Sequence, residues 1–193
     1  MSRTNSTMLP LGTKAPDFEL PDVVEKRAFS KDQLKGSDGL LVMFISRHCP
    51  YIQRVKGQLA KLGQDYKDGG IGIVAISSND VESHPVDSPL RLKQMVEQEG
   101  FTFHILYDES QEIAKAYKAA CTPDFFLFDK NEELVYRGQL DGARPGNTAP
   151  CDGKDLREAM DAVLDGKPVS SEQAASMGCN IKWKPGNAPD YFG

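Results

Sequence analysis

Two runs along the chain are apolar on both alternating faces: Leu40-Leu41-Val42-Met43-Phe44-Ile45 and Ile71-Gly72-Ile73-Val74-Ala75-Ile76-Ser77. Such runs predict strands in the middle of a sheet that is covered on both sides. Between them, from Pro50 to about Lys67, apolar residues at 52, 55, 59, 62 and 66 keep a three-or-four spacing. That spacing predicts an amphipathic helix, ended by Gly69-Gly70. Ser78 to Ser88, with Asn79, Pro85 and three acids, reads as a loop. Ser88-Pro89 then supplies an N-cap and a first-turn proline for a helix running to about Glu99. Ile105-Leu106-Tyr107 predicts a short strand and Ser110 to Tyr117 a short helix. Phe125–Asp129 and Glu133–Arg137 read as two strands joined by the polar turn at Lys130-Asn131. Lys154 to Leu164 is the last amphipathic helix. Nearer the start, Ala15 to Leu20 alternates enough for a short strand, and Ser30 to Leu34 reads as a turn or a single helical turn.

Strand, helix, strand, helix, then a hairpin and a final helix imply a parallel core with an antiparallel edge pair, covered by helices on both faces. This is an α/β class chain, and the arrangement is that of a thioredoxin-like fold with a mixed central sheet and an N-terminal strand extension. Three regions are expected: a flexible lead over residues 1–13, the thioredoxin-like domain over 14–166, and an irregular C-terminal tail over 167–193 that packs on the domain. Composition narrows the function. The chain has 193 residues and a formal net charge of −5, with 39% hydrophobic and 26% charged residues. An acidic balance without a basic run argues against a nucleic-acid surface. Nothing approaches the apolar length of a membrane span, and the polar start lacks the apolar core of a signal peptide. The four cysteines, at 49, 121, 151 and 179, are too few and too scattered for a disulfide scaffold, and no Cys-x-x-Cys pair occurs. A cytoplasmic, reducing setting is therefore expected. The histidines at 48, 84 and 104 have no zinc spacing, and no flavin or nucleotide motif is present, so no cofactor is expected.

Cys49 stands out because it closes the first apolar run and precedes Pro50, where the helix begins. Proline suits the first helical position, where its missing N–H is not needed. A thiol at that junction faces unpaired backbone N–H groups and the positive end of the helix dipole, which favour the thiolate. The thiolate is the form that attacks disulfides and peroxides. Arg47 and His48 flank it, and a histidine there would stabilise the thiolate or pass a proton to the leaving group.

Ser46-Arg47-His48-Cys49-Pro50-Tyr51 and Cys121-Thr122-Pro123-Asp124-Phe125-Phe126-Leu127-Phe128-Asp129 resemble the alkyl hydroperoxide reductase and thiol-specific antioxidant group, in its peroxiredoxin-like branch. Ala15–Phe18, Tyr136–Asp141 and Gly178–Lys184 are similar to the same branch, so the resemblance spans nearly the whole chain. It implies a five-stranded thioredoxin core and a thiol-dependent activity. Two departures are plain. A thioredoxin has a second cysteine three positions after the first, where this chain has Ile52. A typical peroxiredoxin has Pro-x-x-x-Thr-x-x-Cys, against which this chain places Val42 and Ser46.

By this resemblance Cys49 is the nucleophile, Pro123 the cis-proline facing it, and Thr122 the residue whose backbone meets substrate. Cys121, two positions before Pro123, and Cys179, in the tail, are the two candidates for a resolving thiol. Ser46, Arg47, His48, Pro50, Tyr51, Thr122 and Pro123 are the expected substrate surface. Arg137 and Arg144 lie where a cation for a peroxide would come from, and Asp17 and Phe18 anchor the N-terminal strand. Cys151 is assigned no role. The expected activity is a peroxiredoxin-like reduction of peroxides, regenerated by a thiol donor such as thioredoxin or glutathione. A thiol–disulfide oxidoreductase acting through mixed disulfides is the alternative enzyme. A redox-sensing or binding module that turns over nothing is the alternative of another class. The oligomeric state stays open, a homodimer included.

Overall fold

The computed structural model describes residues 3–192. Its centre is a five-stranded sheet in the order β6-β5-β4-β8-β9. The strands are β4 (Gly39–Phe44), β5 (Ile71–Ser77), β6 (His104–Tyr107), β8 (Asp124–Asp129) and β9 (Leu134–Gly138). β4 runs parallel to β5, and β5 to β6, whereas β8 is antiparallel to both β4 and β9. This is the mixed sheet with an antiparallel edge pair that the order of elements predicts.

Every residue of β4 is buried, because successive side chains enter two different cores. Leu41, Met43 and Ile45 face α2 (Pro50–Tyr66) and α5 (Lys154–Leu164), packing with Ile52, Leu59, Leu156 and Met160. Leu40, Val42 and Phe44 face the other way, toward Tyr117, Phe126 and Phe128. At about 1.5–3 kcal/mol for each large apolar side chain removed from water, these two layers fix β4 in the middle. The loop before α3 (Pro89–Glu99) holds a 3₁₀ turn at Pro85–Asp87. α3 ends at Gly100, whose φ of 69° suits the left-handed cap of a helix. α1 (Lys31–Leu34) and α4 (Glu112–Ala116) are single short turns.

Three segments depart from their sequence reading. Within Ala15–Leu20 only the end is a strand, β2 (Glu19–Pro21), which pairs with β3 (Ala28–Ser30). The backbone before it is divided among several elements instead of one ladder. The Ala15 N–H donates to Glu132 O, Pro16 O accepts the Tyr117 hydroxyl, and Phe18 O accepts the Lys31 N–H. The lead is tied down as well: β1 (Arg3–Asn5) pairs with the tail, and Ser6 N–H donates to Ser176 O. Met1 and Ser2 of the expected lead lie outside the described residues. The tail itself contains β10 (Met177–Asn180), sandwiched between β1 and β7 (Cys121–Thr122). Met177-Gly178-Cys179-Asn180 has no strand periodicity, so its strand is a product of tertiary pairing.

Gly178 makes that pairing possible. A Cβ there would stand 2.0 Å from Thr122 O and 3.1 Å from Pro123 N. Gly178→Ala is therefore expected to lift β10 off β7 and cost about 1–3 kcal/mol. Thermal melts measure the cost, and faster alkylation of Cys49 in the native protein reports the lifting; a variant that matches the wild type in both would remove this reading of Gly178.

Candidate active site

The junction between β4 and α2 positions the candidate nucleophile, Cys49. Cys49 is the N-cap of α2, with extended backbone (φ −68°, ψ 122°), and Pro50 takes the first helical position. Its carbonyl accepts the first helical bond, from Gln53 N–H at 2.9 Å. The sulfur is completely buried, beneath β10. It lies 3.1 Å from Thr122 O, which accepts the S–H when the thiol is protonated. The Thr122–Pro123 peptide is cis. Ser176 clamps this loop by donating its hydroxyl to Pro123 O at 2.6 Å.

β10 pairs Cys179 with Thr122, and this register brings the Cys179 side chain into hydrogen-bond contact with Cys49. The two thiols then divide their protons unequally. Cys49 is pulled below the ordinary thiol value, first by the Cys179 side chain. Burial opposes that, and the Ile52 N–H, the Thr122 hydroxyl and the Cys179 N–H add to the pull. Cys179 moves the other way, raised first by its bond to Cys49 and then by burial and the charge beside it. One thiolate and one thiol sharing a proton is the arrangement from which disulfide exchange starts.

The other resolving candidate is placed differently. Cys121 Sγ points at Pro123 O, 3.5 Å away, and burial, followed by Asp124 and Cys49, pushes its thiol well up. Cys151 is half-buried, 3.8 Å from Arg54 O. Ser46 Oγ and Thr122 Oγ1 bond each other at 2.9 Å, so the hydroxyl at the peroxiredoxin threonine position is engaged with a neighbour. The two candidate cations for a peroxide are also occupied. Arg137 donates to Leu9 O and Gln173 Oε1, and Arg144 to the carbonyls of Asp141 and Ala143 and to Gln139 Oε1. Tyr51 and Pro123 line one narrow crevice with Arg144 and Met177. Pro50 is exposed beside it. Asp17 pairs with Lys31 at 2.7 Å and Phe18 is buried, both against the start of the domain.

Asp87 organises the segment before Cys49. Its carboxylate is fully buried and accepts four N–H groups: Arg47 N at 2.7 Å and His48 N at 3.1 Å on Oδ1, and His48 Nδ1 at 2.5 Å and Asn79 Nδ2 at 2.8 Å on Oδ2. Burial acts to raise its proton affinity, but the bonds from His48 and Asn79 outweigh it and hold the carboxyl below its usual range. Sequence reasoning missed Asp87, Asn79, Lys182 and Ser176. In the acidic, proline-containing loop from 78 to 88 no pattern separates Asp87 from Asp80 or Glu82.

Asp124, directly after Pro123, was also missed. It is completely buried, its Oδ1 has no hydrogen-bond partner among the described residues, and Oδ2 accepts a long 3.4 Å bond from Ala120 N–H, with the Phe125 N–H also acting on the carboxyl. Burial pushes this carboxyl well above its ordinary value of 3.8, so folding takes up a proton here. Stability from this group is then fully present below pH 3.8 and is lost as pH rises through the folded value. Asp124→Asn removes that titration and is expected to raise the melting temperature relative to wild type, with a gain that grows from pH 4 to pH 8, by about 1–3 kcal/mol at the upper end. A gain independent of pH would rule out the titration as its cause.

Residues 11–137 match the model of the AhpC/TSA family. The chain belongs to that family. Among curated relatives, the thiol-disulfide oxidoreductase ResA of Bacillus thuringiensis is 28% identical over 127 residues, covering 66% of this chain and 68% of that one. Among solved structures, an uncharacterised conserved protein from Geobacillus kaustophilus superposes with a TM-score of 0.94 at 47% identity, over 96% of this chain and 98% of that one. The thioredoxin domain of a thiol-disulfide oxidoreductase from Bacteroides vulgatus superposes with a TM-score of 0.58 at 19% identity, over 77% and 96% of the two chains. At that identity the likeness is one of fold. It agrees with the thioredoxin-like architecture described above. This AhpC/TSA protein therefore carries a single cysteine where Cys-x-x-Cys proteins have two, and meets a second thiol from its C-terminal strand.

Proposed function

We propose that this AhpC/TSA protein is a thiol–disulfide oxidoreductase in which Cys49 and Cys179 form the redox pair. The observation that carries the reading is the contact between the two side chains beside Thr122, in which Cys49 is pulled below and Cys179 raised above the ordinary thiol value. The names of the curated relatives point the same way. In the forward step the Cys49 thiolate attacks a substrate disulfide, forming a mixed disulfide and expelling one substrate thiolate. Cys179 then attacks the Cys49 sulfur, which releases the second substrate thiolate. The proton of Cys179 leaves with that product, so two electrons pass from protein to substrate. An external thiol, of the thioredoxin or glutathione kind, reduces the resulting 49–179 disulfide.

The peroxiredoxin-like alternative shares the first nucleophile: Cys49 would attack the O–O bond, giving an alcohol and a sulfenate. We rank it second, because the Ser46 hydroxyl and the Arg137 and Arg144 guanidinium groups are bonded elsewhere. A reducing cytosol is the setting we propose for either reaction. The scattered cysteines, which suit no disulfide framework, support it.

One equivalent of 2-hydroxyethyl disulfide, followed by non-reducing peptide mapping, tests the pair. A crosslink between the peptides of Cys49 and Cys179 is expected. A crosslink to Cys121 instead, or a protein that consumes hydrogen peroxide while leaving the disulfide untouched, would overturn the proposal.

A further inference from the structure

Exchange between two sulfurs needs no cation of its own, yet three basic side chains, His48, His84 and Lys182, are held on the segments next to Cys49 and Cys179. The His48 and His84 rings lie 4.9 Å apart, centroid to centroid. Lys182, three residues beyond Cys179, completes the group. Its backbone N–H donates to Asn79 Oδ1 at 2.8 Å, while Asn79 Nδ2 donates to the same Asp87 oxygen that receives His48 Nδ1. One anchor therefore sets both Lys182 and His48. The Lys182 ammonium donates to Asn180 O and Oδ1 at 2.7 and 3.0 Å. Its charge acts on Cys179, Cys49 and Asp87 together.

The two buried carboxylates nearby are turned to internal use, while Glu82 is exposed. Asp87 is buried under its four donors, and Asp80 accepts the N–H groups of Glu82 and Ser83 and the Ser83 hydroxyl. By contrast, His48 Nε2 is buried with no hydrogen-bond partner among the described residues. His84 registers the resulting field. Burial, then the charges of His48 and Lys182, make it harder to protonate than an ordinary histidine, in spite of Asp87 and Asp80. A bound anion would relieve all three groups. Arg47 and Lys184 add positive charge to the sequence segments on either side, in a protein whose net charge is −5.

We propose that Lys182, His84 and His48 form an anion subsite that selects small, carboxylate-bearing disulfides and thiols as the exchange partners of Cys49. The inference rests on the thiol–disulfide reading above and deepens it. The partner is small because Cys49 is fully buried and Cys179 only 3% exposed, leaving no room for a folded protein's disulfide to reach the sulfur without lifting β10. The partner is anionic because the His48 Nε2 nitrogen has no partner among the described residues, the His84 ring lies beside it, and the Lys182 charge acts on that ring.

Three disulfides of similar size separate charge from reactivity: dithiodipropionate (dianionic), 2-hydroxyethyl disulfide (neutral) and cystamine (dicationic). Second-order rates of Cys49 oxidation in the full-length reduced protein are each divided by the rate for free 2-mercaptoethanol with the same compound. At low salt the normalised dianion-to-dication ratio is expected to be about ten-fold or more, collapsing at high ionic strength as screening demands. Lys182→Gln and His84→Gln are each expected to lower the dianion-to-neutral ratio about three-fold or more. His84→Gln lies outside the tail, so it keeps the test valid if Lys182→Gln loosens β10. Ratios near one for the wild type, or ratios that neither variant moves, would overturn the subsite while leaving thiol–disulfide exchange in place. Failure of the neutral disulfide as well would remove both.

Discussion

Cys49→Ser is expected to lower the rate of disulfide reduction by at least about a thousand-fold, because a neutral hydroxyl replaces an activated thiolate. Cys179→Ser should behave differently. The first attack survives, but the second sulfur is gone, so a mixed disulfide between Cys49 and substrate accumulates and mass spectrometry sees it at one equivalent. Cys179→Ala also takes away the side-chain donor that does most to lower the Cys49 thiol. The pH midpoint of Cys49 alkylation should therefore move up in Cys179→Ala, toward the free-thiol value of about 8.5. An unchanged midpoint would show that Ile52 N–H and the helix end suffice, and that Cys179 is a bystander. These outcomes separate a two-cysteine exchange from a one-cysteine enzyme resolved by an external thiol, which would turn over normally without Cys179.

The pattern of apolar residues made the scaffold legible because the scaffold is local. β4, β5, α2 and α5 each declare themselves by periodicity, and Pro50 marks where α2 starts. The candidate thiol, Cys49, was legible for the same reason, as it sits at the boundary between two such elements. The partners of that thiol were not, because they arrive from far along the chain. Cys179 reaches Cys49 only through the pairing of β10 with β7 and β1, and nothing in Met177–Asn180 announces a strand. Proximity in sequence to Pro123 favoured Cys121 over Cys179, yet on β7 it is Thr122 that pairs with Cys179, while the sulfur of Cys121 points at Pro123 O. Asp87 was hidden among three acids of one loop, and what distinguishes it is the set of donors from Arg47, His48 and Asn79 that converge on its carboxylate. The general lesson is that a strand–helix junction can point to a candidate nucleophile, whereas the groups placed around it are set by tertiary register.

Asp87→Ala should be the most destabilising single change at the site that leaves both sulfurs in place. The carboxylate satisfies two backbone N–H groups, the His48 ring and the Asn79 amide, all on the buried side of the Cys49 turn. Removing it leaves those donors without an acceptor, at a cost of about 3–5 kcal/mol by analogy with breaking a buried charged pair. For a chain of this size each kcal/mol moves the melting temperature by about 2–4 °C, so a fall of roughly 6–20 °C is expected. Asp87→Asn keeps the shape and one acceptor oxygen, so its loss should be smaller than that of alanine. Its amide nitrogen, however, must face the donors of His48 and Asn79, so it should not match the wild type. The sign of the pH effect follows from the depressed carboxyl. Its contribution is present above the unfolded value of 3.8 and is lost as pH falls through the lower folded value. The gap between wild type and Asp87→Ala should therefore close in strong acid and stay wide at neutral pH. Equal melting temperatures for the three proteins at pH 7 would mean that Asp87 is not what holds Arg47 and His48 in front of the thiol.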